Sequence, residues 1–227
     1  MPRDATIVAV SSPPGPSPRG LVRIAGPDAF AVLLQLTTLP AAPPPRAATF
    51  ARLRTPPLPV VVTTFAAPAS YTGDDTVELQ CPGNPALLER LVAAACAAAP
   101  DARLAEPGEF TCRAFLRGKL DLVQAEGIAA TISAVSDGQL RAAALLRGGE
   151  LGRFAGSLVD RLADALALVE AGIDFTDQED VVAVAPAALD DRLAAAVGEV
   201  AALLARSRSW GALDALPWVV LAGAPST

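Results

Sequence analysis

The sequence predicts an α+β protein in which a sheet-containing N-terminal half is followed by an incomplete α-helical bundle. Two observations carry the class. The first half holds short segments rich in Val, Ile and Thr, bounded by Pro and Gly: "TIVAV", "GLVRIAG", "ATFARLR", "PVVVTTF" and "DTVELQC". Their composition and length are those of strands. From about Lys119 such segments stop, and Ala- and Leu-rich sequence with charges at helical intervals takes over. With 227 residues and 52% hydrophobic content the chain can bury a sizeable core, and with only 4% aromatic residues that core must use small side chains.

The elements follow in order. "PDAFAVLLQL" and "PALLERLVAAACAAA" each place Pro at a plausible first helical position, with apolar residues at helical spacing behind it. The Pro-rich stretch "LPAAPPPRAAT", Leu39 to Thr49, cannot pair inside a sheet and is expected as a surface loop. Pro107 and Gly108 start a further helix with Glu109 in its first turn, and Gly118 breaks it. "DLVQAEGIAATISAV" reads as one helix of the second half. The run from Gly138 to Phe175 reads as a longer one, bent at Gly148-Gly149, and "PAALDDRLAAAVGEVAALLARS" as a third after the acidic "TDQED". Helices with apolar stripes bury them only by packing together, so a bundle is expected that needs a fourth helix or a partner to be complete.

The last residues, "LPWVVLAGAPST", change texture again. A strand, Val219 to Ala222, runs into Gly223 and the turn-prone Pro225-Ser226-Thr227, which is how a phosphate-binding loop G-x-x-x-x-G-K-[ST] begins. The expected organisation is therefore residues 1–118 as one domain, 119–212 as the first part of a helical domain, and 213–227 as the first strand and loop of a further unit. On this reading Gly223, Ser226 and Thr227 form an incomplete nucleotide-binding loop, without the Lys and Ser/Thr that would hold the phosphates and magnesium.

Composition narrows the function. A net charge of −6 argues against a sequence-independent grip on nucleic acid, which needs clustered Lys and Arg. There is no histidine, so acid–base chemistry would fall to carboxylates, lysines, the single tyrosine or a thiol. Cys81, Cys96 and Cys112 lack Cys-x-x-Cys spacing and are expected as reduced, buried core thiols. No segment reaches the roughly 18 apolar residues of a membrane span, and no signal peptide is evident, so a soluble, cytoplasmic protein is expected.

Three stretches carry candidate chemistry. "GLVRIAGP" puts Arg23 inside an apolar strand, and "SYTGDDTVELQCPG" puts Glu78 between Val77 and Leu79. Simple alternation would set both on a solvent face; the other reading is a partner or ligand for each. "AEPGEFTCRAFLRGKLDLVQAE" presents Lys119 and Asp121 after the Gly118 break, either as a plain joint between helices or as part of a site. An Arg, a Glu and a Lys brought together would suit an anionic, hydrogen-bonding ligand. A purely structural Ala-rich protein would have no need of them.

At these stretches the sequence resembles the tRNA-modification GTPases of the MnmE/TrmE type. Their N-terminal domain carries a G-x-x-x-V-R-x-S-G-P strand, then "SYTGED-x-x-E-x-Q-C-H-G-G", then "PGEFT-x-R-A-F-x-N-x-K-x-D-L-x-Q-A-E". All three occur here in that order, with "VEAGIDF" further on and the loop-like ending. The resemblance implies an N-terminal domain like those of folate-dependent one-carbon-transfer proteins, which dimerises and binds 5-formyltetrahydrofolate or a related reduced folate. By motif position the folate contacts fall on Arg23, Glu78 and Lys119. It further implies a GTPase that works with a flavin-dependent partner protein on the wobble uridine of tRNA, with tRNA met indirectly.

Departures from the pattern include Pro82-Gly83-Asn84 in place of His-Gly-Gly, and Arg117 in place of Asn. GTP and magnesium belong to the family's GTPase domain; Ser226 replaces the Asn that there helps hold potassium, which leaves potassium use open. The family's catalytic cysteine motif has no counterpart in these residues, so no catalytic role and no metal is assigned within them. The alternative reading is a naturally shortened, non-GTPase dimeric folate-binding or scaffold protein.

Overall fold

The computed structural model describes residues 5–174 and 184–207. The expected strand Val219 to Ala222 and the loop residues Gly223, Ser226 and Thr227 lie outside these. The chain divides into two compact units, 1–121 and 122–227.

The first unit is built on a six-stranded mixed sheet of β1 (Ile7–Val10), β2 (Ser17–Ala25), β3 (Thr49–Arg52), β4 (Pro59–Phe65), β5 (Thr76–Gly83) and β6 (Arg103–Leu104), in the order β3-β4-β5-β2-β1-β6. All neighbours are antiparallel except β1 and β6. The five expected strands are present. β6, only two residues long, has no strand signature of its own and exists because Arg103 N–H donates to Thr6 O and Ala105 N–H to Val8 O.

Strand alternation decides the layering. Val22, Ile24, Val60, Val62, Val77, Leu79 and Cys81 form one buried face, covered by α1 (Ala29–Leu36) through Val32 and Leu33 and by α2 (Pro85–Ala97) through Leu87, Leu88 and Leu91. The alternate residues, Leu21, Arg23, Val61, Thr63, Glu78 and Gln80, share the opposite and only half-buried face. Pro85 opens α2 as expected, with the Asn84 side chain accepting from Leu87 N–H at 3.1 Å. Pro27 does not open α1. It precedes the cap residue Asp28, because the chain leaving β2 turns through Gly26 and docks the Asp28 N–H on Thr6 Oγ1 at 3.0 Å. A third helix, α3 (Glu109–Leu116), begins behind Gly108 and ends before Gly118, both at positive φ.

The second unit contains α4 (Leu122–Ser133), α5 (Asp137–Arg147), α6 (Glu150–Asp174) and α7 (Pro186–Arg206). The expected long bent helix is two helices: Gly149 takes φ 70°, a left-handed turn that ends α5 outright rather than bending it. Its buried apolar residues are Ala143, Ala165 and Ala196, while Val159, Leu162, Leu166, Ile173, Leu193, Val197 and Leu204 are exposed. Among the described residues the apolar stripes of α6 and α7 are thus only partly covered. The Arg161 guanidinium forks onto the Glu199 carboxylate at 2.7 and 2.6 Å and joins the two helices. No helix of the described residues is long and apolar enough to cross a membrane.

Candidate functional site

β2 and β5 are neighbours, and their register sets Arg23 directly opposite Glu78 on the half-buried sheet face. Arg23 Nε and Nη2 both donate to Glu78 Oε1, at 2.9 and 2.7 Å. The side chains are 27% and 19% exposed. Among the described residues no hydrogen bond reaches Oε2, so one oxygen of the carboxylate is saturated and the other offers its lone pairs outward. Alternation placed both residues on the right face, and pairing supplies the partner each charge requires.

Two aromatic rings lie close to the guanidinium. The centroid of Tyr71 is 6.0 Å from Arg23 Cζ and that of Phe110 is 5.6 Å, both within cation–π range. Tyr71 comes from the turn between β4 and β5, Phe110 from the first turn of α3. The two are tied by a 2.9 Å hydrogen bond between the Tyr71 and Thr111 hydroxyls.

Behind the rings runs a chain of charges. Glu109, buried, accepts from Arg103 Nη1 and Nη2 at 2.8 and 2.6 Å, from Arg113 Nη2 at 3.0 Å and from the Glu106 N–H at 2.9 Å. The Arg103 fork holds the Glu109 carboxyl down at about 2 against the opposing effect of burial, with the Glu106 amide and Arg113 adding to it. Arg113 then faces Asp74 at 3.7 Å, and Arg117 bonds the other Asp74 oxygen.

Lys119 is placed differently. Its ammonium donates to Pro68 O at 2.5 Å, on the same turn that carries Tyr71 further along, and the adjacent carbonyl, Ala69 O, takes Arg46 Nη2 at 3.0 Å. Arg23 and Glu78 are therefore in mutual contact, while Lys119 reaches them only through this turn. Two cavities among the described residues lie elsewhere. One, of 240 Å³, lies on the sheet among Phe50, Val61, Gln80 and Pro82; the other, of 170 Å³, lies between α6 and α7.

Tyr71, Phe110, Asp74 and Arg113 were not singled out from the sequence. A usable signal existed: in a chain with one tyrosine and seven phenylalanines, Tyr71 and Phe110 both fall inside the segments that supplied Glu78 and Lys119. The departures also acquire places. Asn84 is the α2 cap, Pro82 is exposed near the end of β5, and Arg117 is the partner of Asp74. The expectation of buried thiols holds for Cys81 alone; Cys96 is half-buried and Cys112 exposed, since α3 turns that side away from its packed face. Burial raises the Cys81 and Cys96 thiols above their ordinary value. No cluster of metal-binding side chains occurs among the described residues.

With this geometry in hand, comparison with known proteins is decisive. Residues 6–119 match the family model described as the GTP-binding protein TrmE N-terminus, and residues 122–213 match the MnmE helical domain. The chain belongs to the MnmE/TrmE family. A tRNA modification GTPase MnmE from Koribacter versatilis is 44% identical over 192 residues, 81% of this chain and 41% of the relative. Those of Rhodopseudomonas palustris (strain HaA2) and Bradyrhizobium sp. (strain BTAi1) are 43% and 44% identical over 99% of this chain, and 49% and 51% of their own lengths. The chain thus spans about half the length, or less, of these curated relatives. Both matched family regions include the elements described above, from β1 to α3 and from α4 to α7.

Proposed function

We propose that the first unit binds a reduced folate, as 5-formyltetrahydrofolate, and that the chain serves in tRNA modification as part of a GTPase. The observation that carries the folate reading is the Arg23–Glu78 pair: Glu78 keeps Oε2 free of hydrogen bonds among the described residues, and two aromatic rings lie within 6.0 Å of the Arg23 guanidinium carbon. A pterin edge offers amino and ring N–H donors, which a carboxylate accepts, and aromatic faces suit a planar heterocycle. With Oε1 already filled by Arg23, Glu78 takes one such donor at Oε2 unless Arg23 moves. Lys119, with Arg46 beside it on the Pro68–Ala69 carbonyls, supplies cationic charge for the folate's glutamate carboxylates. When bound, the folate supplies the one-carbon unit.

The wider activity follows from the family and from the names its relatives carry. In this proposal the protein acts in the cytoplasm with a flavin-dependent partner on the wobble uridine of tRNA. GTP, magnesium and, in the family, potassium serve a GTPase domain whose loop begins at Gly223, Ser226 and Thr227. The first unit also resembles folate-dependent one-carbon-transfer domains in this reading.

Titration of the protein with 5-formyltetrahydrofolate should give saturable binding, and Glu78→Ala should weaken it by about 1–3 kcal/mol, the cost of leaving a buried donor unpaired. Absence of saturable binding overturns the ligand reading. Unchanged affinity in a folded Glu78→Ala protein removes that residue from the site.

Homodimerisation belongs to the same proposal, through the first unit, since its sheet presents a half-buried face with Phe50 84% exposed. Light scattering should find dimers both for the whole chain and for residues 1–118. A monomeric fragment beside a dimeric whole chain would place the contact in the helices.

A further inference from the structure

Asp74 lies where the turn carrying Tyr71 meets the helix carrying Phe110. Its carboxylate is 89% buried, with Arg117 on Oδ1 and Arg113 Nη1 3.7 Å from Oδ2. Those last two atoms are buried and make no hydrogen bond, so their attraction is spent on holding two segments together at a fixed distance rather than on a short bond. The backbone on either side is equally tied: Asp74 N–H donates to Thr72 Oγ1 at 3.2 Å, and its carbonyl accepts the Ser70 and Thr76 hydroxyls. Arg113 in turn is anchored by Glu109 to Arg103 at the sheet edge. The charge chain therefore runs from β6 through α3 into the turn.

The two rings near Arg23 belong to these two segments, one to each, so the contact each makes with the guanidinium depends on how the turn and α3 are held together. Besides the Tyr71–Thr111 hydroxyl contact, and the Lys119 ammonium on Pro68 O just past the end of α3, the polar ties named across that seam are those to Asp74.

We propose that Asp74, held between Arg113 and Arg117, is a positioning residue for the Arg23–Glu78 pair. It holds the segments that carry Tyr71 and Phe110 together, which keeps both rings against Arg23, keeps Arg23 on Oε1 and so keeps Oε2 presented. Arg113 and Arg117 both stand on the α3 side of that seam, so replacing the carboxylate by an amide removes the charge by which the turn attracts them and loosens the turn from α3.

The test reads Arg23 itself. By NMR, the Arg23 Nε–H, assigned by its loss in Arg23→Lys, should exchange slowly with solvent in the whole chain. Asp74→Asn should speed that exchange about tenfold while the β2 and β5 amides stay within about twofold, and Asp74→Glu should restore it. Unchanged Arg23 exchange in Asp74→Asn overturns the proposal. Should that variant fail to fold, Arg117→Ala, at a side chain 35% exposed, must still speed Arg23 exchange by about threefold, and no change there overturns the proposal equally.

A ligand arm, which rests on the reduced-folate reading, repeats the 5-formyltetrahydrofolate titration with Asp74→Asn, where affinity should fall. Faster Arg23 exchange with no folate binding even by the unaltered protein supports the positioning role and sinks the ligand reading. Equal folate binding and unmoved Arg23 exchange sink the positioning role alone.

Discussion

Glu109→Gln is expected to destabilise the first unit by about 3–5 kcal/mol at neutral pH, the cost of breaking a buried ion pair from one side. The Glu109 side chain is 1% exposed and its two oxygens receive four N–H donors. A glutamine amide turns one of those oxygens into a donor facing guanidinium N–H groups. Arg113, at 7% exposure, then loses its nearest acid.

The same residue predicts an acid limb. Its carboxyl titrates at about 2 in the folded protein against an ordinary 4.5. A depressed folded-state value means that the stabilisation is complete above the unfolded value and disappears as pH falls from about 4.5 towards about 2. By linkage this amounts to about 3 kcal/mol. Urea unfolding at pH 7 and at pH 3 should show the gap between the parent and Glu109→Gln narrowing in acid. A variant as stable as its parent at pH 7 would mean that the Arg103–Glu109–Arg113 cluster holds nothing.

Gly26→Ala should cost about 3 kcal/mol or more, because it combines backbone strain with a clash that cannot relax cheaply. Gly26 has φ 143°, and a Cβ there would lie 2.5 Å from Thr6 Cα and 2.7 Å from Thr6 Oγ1. The obstacle is main chain, on the segment leading into β1. The position also joins three elements: Gly26 N–H donates to Asp75 O at 3.0 Å, and Thr6 Oγ1 receives the Asp28 N–H at the start of α1. Displacing Thr6 loosens the α1 entry and the end of the turn that carries Tyr71 and Asp74. A lowered urea midpoint at unchanged m-value is the expected result, and a loss below about 1 kcal/mol contradicts it.

The sequence by itself determined what local chemistry determines. The α+β class, the five longer strands, the Pro85 start of α2 and the break at Gly118 are each set by residues within a few positions, whereas the glycine pair at 148–149 was legible only as a bend and not as the end of a helix. Alternation also told which face Arg23 and Glu78 share, because Val22 and Ile24, like Val77 and Leu79, must point to the core. The three motifs by themselves carry the likeness to the family.

What tertiary structure alone decided is the company these residues keep. Arg23 and Glu78 are 55 positions apart, and their contact depends on β5 lying beside β2 in one register; a slip of one residue would put one of them in the core. β6 is too short to have a pattern and is made by β1 offering it free main-chain groups. The burial of Glu109, the approach of Tyr71 and Phe110 to Arg23 and the place of Asp74 arise where α3 closes on the β4–β5 turn. Such pairings are chosen by how the whole core packs, a sum over distant contacts that no local window of sequence contains.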